Sequence, residues 1–172
     1  LGNGSNSLEA RRIGTLGIGD GNNALTANRV GIFVAGDGDN RLTASRVGIL
    51  VAGDGDNVLA AERVTMLDIG NGNNNVTVSH VGTLEVGDGD NLLIADHVDR
   101  LETGDGDNTL AVFHADRVRA GAGDDTIVAQ DANSIEAGEG DDRIVAAEVG
   151  RVTGGAGNDL LRSNGGTDLI IG

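Results

Sequence analysis

A Gly-x-Gly turn returns every 17 residues without a slip, beginning at Gly2, Gly19, Gly36, Gly53, Gly70, Gly87, Gly104, Gly121, Gly138 and Gly155. A fixed period of this length constrains the fold to a solenoid, in which each unit buries its apolar face only by stacking on its neighbours. Ten repeats nearly fill the 172 residues, so 1–172 reads as a single repeat array. Function is therefore to be sought in columns of equivalent residues and not in one pocket.

Numbering each repeat from its first glycine gives places one to seventeen. Place seven is aliphatic throughout, from Leu8, Leu25 and Leu42 to Ile144 and Leu161. Place nine is nearly always Ala or Val, and place fifteen is always apolar, from Leu16 and Phe33 to Val152 and Leu169. Alternation at seven and nine, and again at fifteen and seventeen, has the period of half-buried strands, and place twelve is expected to turn inward between them. The pattern predicts an all-β chain, a parallel β-roll or β-solenoid of ten 17-residue coils with two short strands per coil, coils stacking about 4.8 Å apart. Phe33 and Phe113 are the only aromatics, so the core must be thin and built from small aliphatics. Three or four such residues per coil do not offset the ordering of a whole repeat, which directs attention to the turns.

Composition narrows the function. The net charge of -15 argues against nucleic acid and anionic membrane surfaces, and favours cations or basic partners. No apolar run is long enough for a membrane span, and no signal peptide is visible. Without cysteine there are neither disulfides nor thiolate metal sites. No Ser or Cys pairs with a His at a recognisable spacing, and the Gly-rich turns lack the Lys of a phosphate loop, so an enzyme is not expected. Leu1 is not a start methionine and neither end carries a cap, so the array is expected to be a segment of a longer chain.

The turns change character once. Place five is Asn in the first seven repeats (Asn6, Asn23, Asn40, Asn57, Asn74, Asn91, Asn108) and Asp in the last three (Asp125, Asp142, Asp159). The array thus divides into Asn-type coils over 1–119 and Asp-type coils over 120–172. Stacked Asn side chains can hydrogen-bond along a column without charge. Stacked carboxylates about 4.8 Å apart repel, and such a column is expected to hold a hard cation through carboxylate and carbonyl oxygens.

These residues resemble a known family. Gly154-Gly155-Ala156-Gly157-Asn158-Asp159-Leu160-Leu161-Arg162 fits the nonapeptide G-G-x-G-x-D-x-U-x of the RTX (repeats-in-toxin, haemolysin-type) repeats at every specified place. Residues 120–128 and 137–145 fit it with Ala for the first Gly, and Gly166, Asp168 and Ile170 continue it into a second nonapeptide. If that final coil is 18 residues long, Ile170 and not Leu169 lies on the core column. The resemblance implies a right-handed β-roll, secreted by bacteria and folding on Ca2+. The ligands it implies are Asp125, Asp142 and Asp159, with Asp168 on the opposite edge, the neighbouring Asp124 and Asp141, and turn carbonyls at Gly121, Gly138, Gly155 and Ala156. Coils 1–119 depart from the motif and read as its metal-free variant.

Further columns flank these. Place two carries Asp20, Asp37, Asp54, Asp88, Asp105 and Glu139, and place four carries Asp39, Asp56, Asp90, Asp107, Asp124 and Asp141. They are either solvated turn residues or a lattice of weak outer cation sites. Place eleven runs Arg12, Arg29, Arg46, Arg63, then His80, His97, His114. The histidines are either solvated turn residues or a row suited to zinc or nickel, and their protonation would be mutually opposed. Outward apolar residues, Ile32, Val34, Ile49, Val51, Met66, Leu92 and Ile94, mark an expected interface, for lateral homo-association or a covering segment. The leading expectation is a secreted or cell-surface calcium-binding β-roll module with a structural or spacer role. The rival is a metal-independent β-solenoid that self-associates as a filament, adhesin or surface layer.

Overall fold

A computed structural model describes residues 1–165 and 167–171, with the side chains of residues 167–170 outside the description. The described residues form eleven parallel strands in one continuous sheet, with no helix. In chain order these are β1 Ser7–Ile18, β2 Ala24–Ala35, β3 Arg41–Ala52, β4 Val58–Ile69, β5 Asn75–Val86, β6 Leu92–Thr103, β7 Thr109–Arg119, β8 Thr126–Glu139, β9 Arg143–Ala156, β10 Leu160–Ser163 and β11 Thr167–Ile171. Each of the first nine coils supplies one strand, which pairs with the strands of the coils before and after it. The fold is the parallel β-solenoid that the repeat length demands.

The register is 17 residues from coil to coil, so equivalent places stand in rows: Leu25 pairs with Leu42, Leu42 with Leu59, and Leu59 with Val76. The two short strands expected per coil are the two straight runs of one bent strand. Within the strands pairing skips places ten and thirteen, as at Asn28 and Gly31 between β2 and β3, and these mark the bends. Places seven, nine, twelve, fifteen and seventeen face inward. In the third coil they are Leu42, Ala44, Val47, Leu50 and Ala52, all buried. Place twelve fills the corner between the two alternating runs, so five residues per coil build the core.

The turn before each strand depends on place three. From Gly4 (φ 110°) to Gly157 (φ 145°), every place-three glycine has positive φ, a region closed to most L-residues. Stacking adds a second demand: a Cβ on Gly106 would lie 2.6 Å from the carbonyl carbon of Gly89 in the coil below. Glycine is thus required twice over at this place, which is why the spacing never slips.

The last coil departs from the period. β10 pairs with β9 at a separation of 17, but β11 pairs with β9 at a separation of 18, so that Ile170 stands opposite Val152 and Leu169 opposite Arg151. Ile170 therefore takes the register position of place fifteen, as two nonapeptides in tandem require. Asp168 lies on β11, and its side chain is outside the described part.

Candidate metal-binding turns

The place-five asparagines form one ladder along the turn edge, buried from Asn23 to Asn108 and half-buried at Asn6. Asn74 is representative. Its amide nitrogen donates to the carbonyl oxygens of Gly70 (3.1 Å) and Gly72 (2.8 Å) in its own turn, and to Oδ1 of Asn91 in the next coil (3.0 Å). Its backbone N–H donates to the same Asn91 Oδ1 at 3.0 Å. Asparagine suits this place because it has two N–H donors and an acceptor on one planar group. The place-one and place-three carbonyls, which converge on the turn interior, all find a partner.

The aspartates enter the same column with the same backbone bond. Oδ1 of Asp125 accepts from the Asn108 N–H (2.8 Å), Oδ1 of Asp142 from Asp125 (2.9 Å), and Oδ1 of Asp159 from Asp142 (3.1 Å). The other oxygen is left over. Oδ2 of Asp125, Asp142 and Asp159 is buried without a hydrogen-bond partner. A carboxylate has no hydrogen to offer, so an acceptor occupies the chemical position from which the Asn amide donates to two carbonyls. Oxygen faces oxygen, an arrangement that a hard cation or a proton relieves. The donor set fits calcium, which takes carboxylate and carbonyl oxygens.

The backbone around the aspartates also changes. Place one has positive φ at Gly138 (133°) and Gly155 (125°), but not in the Asn coils. There β8 and β9 extend into the turn, pairing Gly138 with Gly155 and Glu139 with Ala156. The carbonyl of Gly121 accepts from the Glu139 N–H (3.2 Å) and that of Ala156 from the Gly140 N–H (2.8 Å); each keeps a second lone pair for a cation. At Gly154 the absence of a side chain makes room for the Asp159 carboxylate, which a Cβ there would strike. The place-three carbonyls of Gly123, Gly140 and Gly157 are absent from the ligands expected from sequence. Their equivalents in the Asn coils are the shorter of the two turn contacts of every amide, 2.6–2.8 Å. The signal was present in the Gly-x-Gly spacing, which sets place three two residues before place five.

Asp124 and Asp141 stand apart from the buried oxygens. Both are exposed, and their Oδ1 atoms accept from the backbone N–H of Asp141 and Asn158 in the next coil, each at 2.8 Å. Places two and four repeat this bond along the rod. Asp37 accepts from Asp54, Asp39 from Asp56, and the neutral Asn71 and Asn73 do the same for Asp88 and Asp90. These columns are backbone-capping ladders in which charge is dispensable. In the place-eleven column His80 stacks on His97 at 5.1 Å, His97 lies 4.6 Å from His114, and His114 Nδ1 meets Asp131 at 3.2 Å. Among the described residues no three His, Asp or Glu side chains converge as a metal site. A calcium site here would consist of one carboxylate per coil with carbonyls.

The expected interface residues fall on two faces. Ile32, Ile49 and Met66 form one row and Val34 and Val51 the adjacent one, on the run that ends each coil. Leu92 and Ile94 lie on the other run, flanked by Asn75 and Thr77 below and Thr109 and Ala111 above. All are exposed except Val51, which is half-buried.

Burial raises the Asp125 carboxyl from its ordinary 3.8 to about 6; hydrogen bonds from Asn108 oppose the rise, and the charges of Asp142 and Asp107 add to it. Burial likewise raises Asp142, with Asp159, Asp124 and Asp141 adding to the effect. A carboxyl whose pKa is higher folded than unfolded binds its proton more tightly in the fold. The metal-free terminal coils are therefore expected to lose stability as pH rises from about 4 through about 6. Calcium should reverse the trend, because the cation competes with the proton for the ionised form. Hydrogen exchange of residues 120–165 at pH 4.5 and 7, with chelator and with calcium, checks both signs. Equal protection at both pH values in chelator contradicts them.

A roll with oxygen-only turns at one end is the class that fold and site define. The family model for the RTX calcium-binding nonapeptide repeat matches this chain in four copies, over residues 113–143, 129–148 and 150–172. The matched residues span the Asp-type coils and reach only a few residues into the Asn-type ones, so the similarity to RTX repeats belongs to the last third of the chain. No curated protein and no solved structure gives a significant match. Among the described residues no helix is long and apolar enough to cross a membrane.

Proposed function

We propose that this chain is a calcium-binding β-roll module of a secreted bacterial protein, built as a metal-independent stem of Asn coils followed by Asp coils that fold on calcium. The observation that carries the reading is the set of unpartnered buried Oδ2 atoms at Asp125, Asp142 and Asp159. In the stem the Asn amide supplies the positive end that the turn carbonyls require. In the last coils Ca2+ ions supply it, each held by the carboxylate of its coil, Asp125, Asp142 or Asp159, and by turn carbonyls drawn from Gly121, Gly123, Gly138, Gly140, Gly155 and Gly157. Calcium is scarce in the cytosol and plentiful outside the cell, so the terminal coils would close after export. The module would then serve as a spacer or surface structure. Hydrogen exchange resolved along the chain tests this. At pH 7, residues 1–119 should stay protected in chelator, whereas residues 120–165 should gain protection only with calcium. Uniform protection in chelator would overturn it. A second reading, lateral self-association, is favoured by the exposed apolar rows at Ile32, Ile49 and Met66, and Val34.

A further inference from the structure

Four arginines, Arg12, Arg29, Arg46 and Arg63, pair in register on successive coils. They are exposed, and none makes an ion pair among the described residues, although Arg100 and Arg119 on the sheet face bind Glu102 and Glu136. They edge a groove of about 800 Å³. The glycines at place thirteen, Gly14, Gly31 and Gly48, leave it open, and Asp99 stands at its far end. A row of unpaired cations on a chain of net charge -15 calls for an anionic occupant with the same spacing.

The molecule itself carries one. The turn edge lies across the coil from place eleven, and its place-four column contains a single uninterrupted run of four acids: Asp90, Asp107, Asp124 and Asp141. Each uses Oδ1 to cap the coil above, as Asp90 does for the Asp107 N–H at 2.9 Å. Both ladders share the coil spacing of about 4.8 Å, so once one pair is aligned the other three follow. An extended acidic peptide presents same-face side chains at about 6.6 Å and falls out of step.

We propose that the Arg12–Arg63 ladder of one roll docks onto the Asp90–Asp141 ladder of a second copy, coils one to four against coils six to nine. The two surfaces differ, so the contact is head-to-tail and does not close, and repeated it gives a staggered layer of rods. It uses an edge distinct from the apolar rows and does not rest on the calcium reading.

Sedimentation in calcium-containing buffer keeps the terminal coils folded whether or not they need the ion. At low salt the wild type should sediment at about twice the monomer mass or more, and about 1 M salt should return it to monomer as the screening length falls to ~3 Å. Two variants test the faces separately: R12Q/R29Q/R46Q/R63Q, and D90N/D107N/D124N/D141N. The second keeps every capping Oδ1, as Asn22 and Asn73 do natively, and unchanged circular dichroism verifies both folds. Each variant alone should be monomeric, and their equimolar mixture should form a dimer and stop there, having one intact contact. A wild type that stays monomeric at low salt overturns the proposal. So does a monomer that binds polygalacturonate through the four arginines, which would make the ladder a polyanion site.

Discussion

Replacing Asp125, Asp142 and Asp159 together by asparagine is expected to free the terminal coils from calcium altogether. Each exchange converts a buried, unpartnered oxygen into an amide that donates to turn carbonyls, as Asn108 does to Gly106 at 2.8 Å. Relief of an unsatisfied buried group is worth about 1–3 kcal/mol per site in the metal-free protein. The triple variant should therefore unfold at the same temperature with calcium or with chelator, and above the metal-free wild type. Calorimetric titration should find the calcium heat abolished. A variant that still unfolds in chelator, or still takes up calcium, would show that the aspartates are not the cation's seat. The proline-free, cysteine-free chain makes such scans free of isomerisation and disulfide chemistry.

The second large effect is expected at the middle of the stem. Asn74→Ala removes the amide that serves Gly70, Gly72 and Asn91, and the Oδ1 that accepts from the N–H and the amide of Asn57. Several buried groups lose their partner at once. With about 1–3 kcal/mol for each group left unsatisfied, the loss is on the order of 3–6 kcal/mol. The roll should then melt in two steps, divided at the fifth coil. Asn74→Asp tests the same logic from the other side: it should be destabilising in chelator and recover when calcium is added. Calorimetry with and without calcium reads both. A stem that tolerates Asn74→Ala with a shift near 1 °C would refute the role of the ladder.

The fold was legible because a repeat multiplies a weak signal. One Leu at place seven means little, but ten aliphatics at the same place, with glycine locked at place three, leave no other architecture. The inward turn of place twelve was legible for the same reason. What stayed hidden was the continuity of the strand around its corners: place ten varies from Asn28 to Ser45 to Glu62, and the frequent glycine at place thirteen reads equally well as a break between strands or as a bend within one. The place-five switch from Asn to Asp marked the coils in which buried oxygens lose their hydrogen-bond partner. The side chain cannot report which carbonyls it faces, since every residue has one, and so Gly123, Gly140 and Gly157 emerged only from the hydrogen bonds of their Asn counterparts. The acidic columns at places two and four read as solvated turn residues or as outer cation sites. The structure gives them backbone partners, and the native Asn71 and Asn73 show that an oxygen, not a charge, is what the turn uses there.

The place-five column bears on how the rod would behave under tension. Between neighbouring asparagines two bonds reach one Oδ1, from the backbone N–H and from the amide, whereas Asp125, Asp142 and Asp159 are joined by a single backbone bond each. Pulled lengthwise, the filament should part first at its carboxyl end, at a force that an external ion sets. The same polypeptide would then be a stiff strut with a fuse at one tip.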